Sequence, residues 1–492
     1  MSDPSAIQIP ITTALTSDLN YGLKPSAPKS RSYRISVAPM NKSSFQGGDQ
    51  IIIELPTGRK NTYFDQSQSF FKFSVSCTTT ADASIGGSGV YLDNSAYSFI
   101  QRMDIYNSSN LLETINEYGQ LANLLIDTTL TQSDKAGLST MMGFNYIPLI
   151  VNSGSTYSQY GQTVVLSQSG DRSGMSLATK TTLSTTTPYT FCLPLLSGIV
   201  GVNASKCLPV GALNNPIRME LYLASNDDAI YYGTSGAGAT WTITNVEFDV
   251  CYIELYDDVM NDQFHQGIPQ YISTKTFRQA STYIPSSTAG EFTTLLPFRC
   301  ASLCALYAKF RNFATAVQGV NATAAFRKGS SINPGLSSYY FRVGSSLYPN
   351  KPVYLINTNV GNGAEGYVEL MKANHALSNV IGNSSIQYNQ YNVCATATKG
   401  WALCNVPGSK ASGVSDTSNN AFMIGLELES FSNRSDTILS GVSTLNSQVY
   451  FTGIVNSGDN CGGTNSYNYT ADFFAQMDMI LVIQDGIMSA KF

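Results

Sequence analysis

The feature that most constrains this chain is a short alternation of apolar and polar residues that recurs from one end to the other. SFFKFSVSC, residues 69 to 77, sets Phe71, Phe73, Val75 and Cys77 against Lys72, Ser74 and Ser76. IRMELYLAS, residues 217 to 225, sets Ile217, Met219, Leu221 and Leu223 against Arg218, Glu220 and Tyr222. QIIIEL at 50 to 55 and TNVEFDVCYIELYD at 244 to 257 continue the habit, as do SSYYFRVGSSLYP, AFMIGLELESF, SQVYFTGIV and QMDMILVIQDG in the second half. A side-chain period of two puts one face of a strand in a core and the other toward solvent. Clusters of Gly, Asn, Ser and Pro separate the runs, so the chain reads as many short strands joined by turn-rich connections. Such chains build all-β sandwich architectures.

At 492 residues the chain is longer than one hydrophobic core supports, which predicts two units. The polar stretch DDVMNDQFHQGIPQ, residues 257 to 270, is placed to join them. Two segments depart from strand periodicity. LLETINEYGQLANLLIDTT, residues 111 to 129, brings Leu111, Ile115, Tyr118, Ala122 and Leu125 to helical spacing behind a cap at Asn110. In EGYVELMKANHAL, Tyr367, Leu370, Met371 and Asn374 share a face, with Glu369 and Lys372 three apart. One helix is therefore expected in each half. Residues 1 to 30 carry Pro and little periodicity, and read as an extended arm.

Charged residues are 12% of the chain, about half the usual share, and the net charge is −5 with no basic run. Holding phosphates needs clustered cations, so direct nucleic-acid binding is not expected. The first thirty residues lack the charged and apolar regions of a signal peptide, and no run reaches the eighteen or more apolar residues of a membrane helix. Nine cysteines without a C-x-x-C pair then favour free thiols made in a reducing compartment.

Three patterns could carry chemistry. VYLINTNVGNGAEGYVELMKANHAL, residues 353 to 377, holds a Gly-x-Gly-x-x-Gly loop at Gly361, Gly363 and Gly366 between a strand-like and a helix-like run. A dinucleotide site also needs a parallel βαβ unit and an acid about twenty residues on, and there is no Asp or Glu between Met371 and Val414. The glycines are expected to shape a turn into a short helix. Glu427 and Glu429 share a strand face about 6.5 to 7 Å apart, the low end of the spacing of an inverting glycosidase pair. The two tryptophans, Trp241 and Trp401, lie far from that strand in sequence, and the expected role is a solvent-facing pair or one buried against Arg434. Cys300 and Cys304 have neither His265 nor His375 close enough to complete a zinc set. No catalytic, cofactor-binding or metal-binding residue is assigned.

In order and spacing, YRISVAPMNKSSFQGGDQIIIELP, YFDQSQSFFKFSVSC, SAYSFIQRMDIYNSSNLLETINEYGQLANLL and CLPVGALNNPIRMELYLAS resemble the opening roll of the double jelly-roll major capsid proteins of tailless double-stranded DNA viruses, of virophage and polinton-like virus type. YYFRVGSSLYPNKPV, EGYVELMKANHAL and GLELESFSNRSDTILSGVST resemble the second roll, and a Ser/Thr-rich region at 151 to 190 departs from the pattern. The resemblance implies two tandem eight-stranded jelly rolls with short helices between strands, divided as 1 to 30, 31 to 262 and 263 to 492. It implies a homotrimer forming a pseudo-hexameric capsomer that tiles an icosahedral shell around a dsDNA genome. Neighbouring capsomers, penton and minor capsid proteins would be the partners, and the virion the location. Two other readings of the residues stay open: a β-sandwich carbohydrate-active enzyme centred on Glu427 and Glu429, and a secreted adhesin or lectin-like module.

Overall fold

A computed structural model describes residues 29–78, 90–144, 157–159, 162–164, 188–232, 240–256, 268–285, 290–312, 328–329, 331, 333–355, 363–374, 384–386, 391, 393–396, 400–403, 421–429, 439–455 and 469–492. Sixteen principal strands carry the architecture. In the first half they are β1 (Ser30–Val37), β2 (Gln50–Leu55), β3 (Thr62–Thr78), β4 (Ile100–Asn107), β5 (Asn110–Asn116), β6 (Tyr189–Leu193), β7 (Ile217–Leu223) and β8 (Thr240–Leu255). In the second they are β9 (Gln270–Ile284), β10 (Gly290–Leu296), β11 (Leu303–Asn312), β12 (Leu336–Val343), β13 (Ser346–Tyr354), β14 (Met423–Glu427), β15 (Val449–Val455) and β16 (Tyr469–Gln484).

The first eight form two antiparallel sheets in the orders β1-β8-β3-β6 and β2-β7-β4-β5, and the second eight form β9-β16-β11-β14 and β10-β15-β12-β13. Adding eight to each label of the first pair gives the second pair, so the fold is one jelly roll made twice. A short strand, Ser44–Gln46, extends the first roll beside β8, and a C-terminal strand, Ile487–Lys491, pairs with β16.

Alternation works as the sequence predicts. Phe71, Phe73, Val75 and Cys77 point inward and pack with Phe99, Phe191 and Trp241, with ring centroids 6.0 Å apart for Phe73 and Phe99 and 4.9 Å for Phe99 and Trp241. In the second roll Phe451 on β15 is the hub. Its ring lies 5.9 Å from Phe292 and 5.2 Å from Phe341 in its own sheet, and 5.1 Å from Phe473 across the sandwich. The long strand β8 bends by two bulges against β3, one of which places Asn245 at φ 51°.

The helices differ in part from expectation. Residues 111 to 116 are not helical: they form β5, hairpin-paired to β4 through a turn with Ser108 at φ 57°. Leu111 and Ile115 fit either period over so short a run, and completing the sheet decides in favour of the strand. The cap at Asn110 is therefore not used. Helix α1 spans Tyr118–Thr129 and begins behind Glu117, itself at φ 48°. A second helix, α2 (Gln132–Met142), follows with a capping box between Thr131 and Asp134, so the described residues of the first half hold two long helices where one was expected. In the second half α3 (Ala364–Ala373) forms where expected and buries Leu370, Met371 and Ala373. The arm up to residue 28, most of the join, and most of the Ser/Thr-rich region lie outside the described residues; within that region a small hairpin of Tyr157–Gln159 and Gln162–Val164 and the start of β6 are described. No described helix is long and apolar enough to cross a membrane.

Phe451→Ala is expected to lower stability by about 3 to 5 kcal/mol through the cavity it leaves between the sheets, measured by denaturant unfolding followed by tryptophan fluorescence and circular dichroism.

Candidate functional site, the polar seam between the rolls

Jelly rolls expose edge strands, and the rolls meet along two of them. β5 ends one sheet of the first roll and β9 ends one sheet of the second. Strand alternation directs Leu112 of β5 into a core, while its neighbour Glu113 points into the seam with 1% exposure. The Glu113 carboxylate accepts hydrogen bonds from the Thr276 hydroxyl of β9 at 2.6 Å, from the Gly198 amide at 3.2 Å, and from the Ser197 hydroxyl. Burial lifts this carboxyl above its ordinary value of 4.5, against the downward pull of those three donors.

The seam continues as backbone-to-side-chain contacts. The Thr274 hydroxyl donates to the Asn203 carbonyl at 3.2 Å, and Ser205 donates to the Ser273 carbonyl. Gly198 sits so close to β9 that a Cβ there would come within 2.7 Å of the Lys275 carbonyl oxygen, which explains a glycine at this approach. At the chain's end the Asn107 side-chain oxygen Oδ1 accepts the Met488 amide at 3.0 Å, and the Asn214 backbone amide donates to the Gly486 carbonyl at 2.9 Å.

Charge completes the seam. Lys328 of the second roll reaches Asp228 at 2.8 Å and Glu117 at 3.5 Å on the first, and the adjacent Gly329 amide donates to Asp93 at 2.7 Å. All three acids lie in one cleft whose wall also includes Ser98, Gln120 and Asn123. Beyond it, the Asp127 carbonyl accepts the Ser385 amide at 3.0 Å, while its carboxylate pairs with Lys135 inside the first roll. Glu113, Thr274, Thr276 and Asp93 are buried, Lys328, Glu117 and Asp228 are half-buried, and each contact is directional, which suits fixing one orientation of the two rolls.

The candidates from the sequence that lie among the described residues sit in separate settings. Gly363 is the N-terminal cap of α3 at φ 69°, and the space beside Gly366 is filled by Leu355, which an added Cβ would meet at 2.3 Å. Helix α3 lies over β14, where Gly425 makes room for Leu370. This is the turn into a short helix, while Gly361 lies outside the described residues. Glu429 is not a solvent-facing acid: its side chain is 4% exposed and receives Lys275 at 2.6 Å and the Ser440 hydroxyl at 3.0 Å. Burial pushes this carboxyl up, but Lys275 and its hydrogen-bond donors outweigh that and hold it below the ordinary value. Glu427 is half-buried at the end of β14, and Arg434, suggested as the partner, lies outside the described residues.

Cys300 and Cys304 are buried free thiols. Donor atoms of Cys304, Glu429 and Asp478 fall within 4.8 Å of one another, yet the Lys275 ammonium supplies the positive charge and Ser302 donates to Asp478 at 2.6 Å. The group is an ion-pair network, and burial pushes the Cys304 thiol up, away from metal-binding thiolate. Trp241 is core, and the Trp401 side chain, His265 and His375 lie outside the described residues. Sequence reasoning did not find Glu113 or Lys328. Lys328 meets a partner 211 positions away, and no local pattern marks such a pair.

No protein-family model and no curated protein sequence matches the chain. Solved structures do. Over 96% of this chain and 98% of the other, it resembles VP54 of the virus PBCV-1 with TM-score 0.55 and 12% identity. It resembles the Faustovirus major capsid protein over 98% and 95% of the two chains, with TM-score 0.56 and 10% identity. A chain in the structure of the Sputnik virophage matches over 100% and 93%, with TM-score 0.56 and 10% identity. At these identities the likeness establishes the fold, a double jelly roll shared with viral capsid proteins along essentially the whole chain.

Two outcomes test the seam. Lys328→Ala leaves Glu117 and Asp228 facing each other unneutralised and is expected to cost about 3 kcal/mol, read by thermal unfolding and faster hydrogen exchange in α1. A carboxyl with a raised folded pKa adds stability that is full below its ordinary 4.5 and is lost as pH rises through the folded value. Glu113→Gln removes that titration, so its melting temperature should gain on the native chain's as pH is raised from 4.5 toward neutrality.

Proposed function

We propose that this chain is the major structural subunit of a viral capsid and that it acts by assembly, not catalysis. The observation that supports this best is the full-length double roll, with both rolls complete, matching capsid proteins from end to end. On this reading three chains form a capsomer of six similar lobes, and capsomers tile an icosahedral shell around a dsDNA genome. A near-hexagonal block made from one gene product needs only one kind of closed contact between chains. Obligate contacts of this sort bury more than about 2,000 Å² per pair, which suits a surface that has few charges to desolvate.

The functional units run from 31 to 262 and from 263 to 492, with the change of roll falling between Leu255 and Gln270. The arm of residues 1 to 30 reaches toward neighbouring capsomers or toward penton and minor capsid proteins. Packaged DNA is neutralised by other components, since net charge −5 without basic clusters gives little to hold phosphates. The chain is made in the reducing interior of a host cell and ends in the virion, which is consistent with buried thiols such as Cys300 and Cys304.

The carbohydrate-enzyme reading is disfavoured by one contact in particular. An inverting pair needs one free carboxylate and one protonated acid, and Glu429 is tied to Lys275.

Native mass spectrometry of the purified chain is expected to give a stable trimer. A monomer that hydrolyses a polysaccharide, and loses that activity in Glu429→Gln, would overturn the proposal.

A further inference from the structure

The seam brings two sheet edges together without pairing their backbones. Among the described residues β5 pairs only with β4 and β9 only with β16, and the two strands meet through side chains such as Glu113 and Thr276. A groove runs between them. Its first stretch, about 370 Å³, has the exposed Leu111 of β5 on one wall, Arg278 of β9 on the other and Phe492 at its mouth, with the Arg278 guanidinium 4.6 Å from the Phe492 ring. A second stretch of about 340 Å³ continues past Asn116 and Gln279, which border both, as far as Arg102 and Tyr222. Strand edges for walls and apolar side chains at the mouth fit an extended peptide, whose backbone uses the spare edge groups and whose alternate side chains face inward.

The N-terminal arm contains such a peptide. In IQIPITT, residues 7 to 13, Ile7, Ile9 and Ile11 alternate with period two, and no charged residue occurs between Asp3 and Asp18. Pro10 falls on the opposite face, and a strand with one free edge tolerates a proline. Extended, these residues span about 20 Å, which matches β5, a strand of 7 residues. The arm also starts at the right end of the roll. The Tyr256 amide donates to the Lys29 carbonyl at 3.0 Å, and the Leu255 amide to the Asn61 carbonyl at 2.9 Å. In the same turn region the Gly58 amide donates to Val210, and Asn214 holds Gly486 of the C-terminal hairpin, whose Met488 meets Asn107 and Asn110 where β5 begins. The start of β1 and the mouth of the groove therefore share one end of the first roll. From Lys29 back to Ile11 the chain reaches about 60 Å when extended, enough for any point along the groove.

We propose that before assembly residues 7 to 13 lie extended in the seam groove of their own chain, with Ile9 against Leu111 and Phe492, and that this docking holds the arm back from neighbouring capsomers. The docking stands on the groove and the arm alone, while what it holds back rests on the capsid reading. Assembly then competes with the groove for the same residues, and a chain whose groove is spoiled offers its arm at once.

Two full-length variants test this, Leu111→Asp in the groove and Ile9→Asp in the arm. Leu111 is exposed, so its replacement should leave thermal unfolding unchanged, and the arm variant gives a second reading that does not touch the rolls. Hydrogen exchange of residues 7 to 13 should be slow in the purified native chain before assembly and about tenfold or more faster in each variant. Fast exchange there in the native chain overturns the docking, and so does slow exchange that persists in Leu111→Asp, since the arm would then lie elsewhere. Co-expression of the two variants identifies the donor: exchange stays fast if each arm serves its own groove, whereas recovered protection means that the arm crosses to a second copy and overturns the own-chain contact. Light scattering reads the restraint, with Leu111→Asp expected to form shells at a lower concentration than the native chain. An equal or higher threshold overturns the restraint. A native chain that forms no trimer and no shells overturns the capsid reading and the restraint with it, and the exchange of residues 7 to 13 still decides the docking.

Discussion

A β-sheet with one apolar face has to bury that face against something, and the described residues include no long apolar helix with which to do it. The constraint is met twice, by closing four strands on four more. Phe451 contacts rings from both sheets of its sandwich, and Phe99, Phe73 and Trp241 do similar work in the first. Burial of these aromatics is the main favourable term in each roll, and the strand order follows from it. Once β1 pairs along its whole length with the second half of β8, β3 and β6 can reach the same sheet only from the other side.

Closing each sandwich leaves edges, and the seam is how two of them are covered. Its chemistry is polar. Glu113, Thr276, Ser197, Lys328, Asp228 and Asp93 meet there through charge-assisted and neutral hydrogen bonds of defined direction. A hydrophobic seam would add stability but would tolerate sliding, whereas a buried carboxylate with three donors is satisfied in one arrangement only. A fixed angle between the lobes is what a tiling block requires, because an error in that angle repeats at every contact. Ionic groups taken out of water are not always specificity devices; here Glu113, Asp93 and Lys328 each tie one roll to the other.

Much of this was legible in the sequence, and for a local reason. QIIIEL became β2 without adjustment, the runs around Phe71 and Ile217 became strands with their predicted apolar faces inward, and those around Val449 and Met477 became strands, the latter buried on both faces. Period-two alternation is a property of neighbours, so it survives without knowledge of the fold. The segment from Leu111 to Asn116 failed because six residues cannot distinguish a period of 2 from one of 3.6 when both place Leu and Ile on one face. Helix α2 was missed because its apolar face is weak and its strongest signal is the Thr131–Asp134 capping box. Lys275, the partner of Glu429, was invisible for the same reason as Lys328: pairs brought together by topology leave no trace in spacing.

One polypeptide supplies two similar lobes locked at a fixed angle, and the proposed role repeats that pair in an assembly. Single-particle electron microscopy of the purified assembly measures that directly. Six lobes around a threefold axis, alternating between two closely similar kinds, are the predicted image. Three lobes, or rolls that vary in relative orientation from particle to particle, would contradict it.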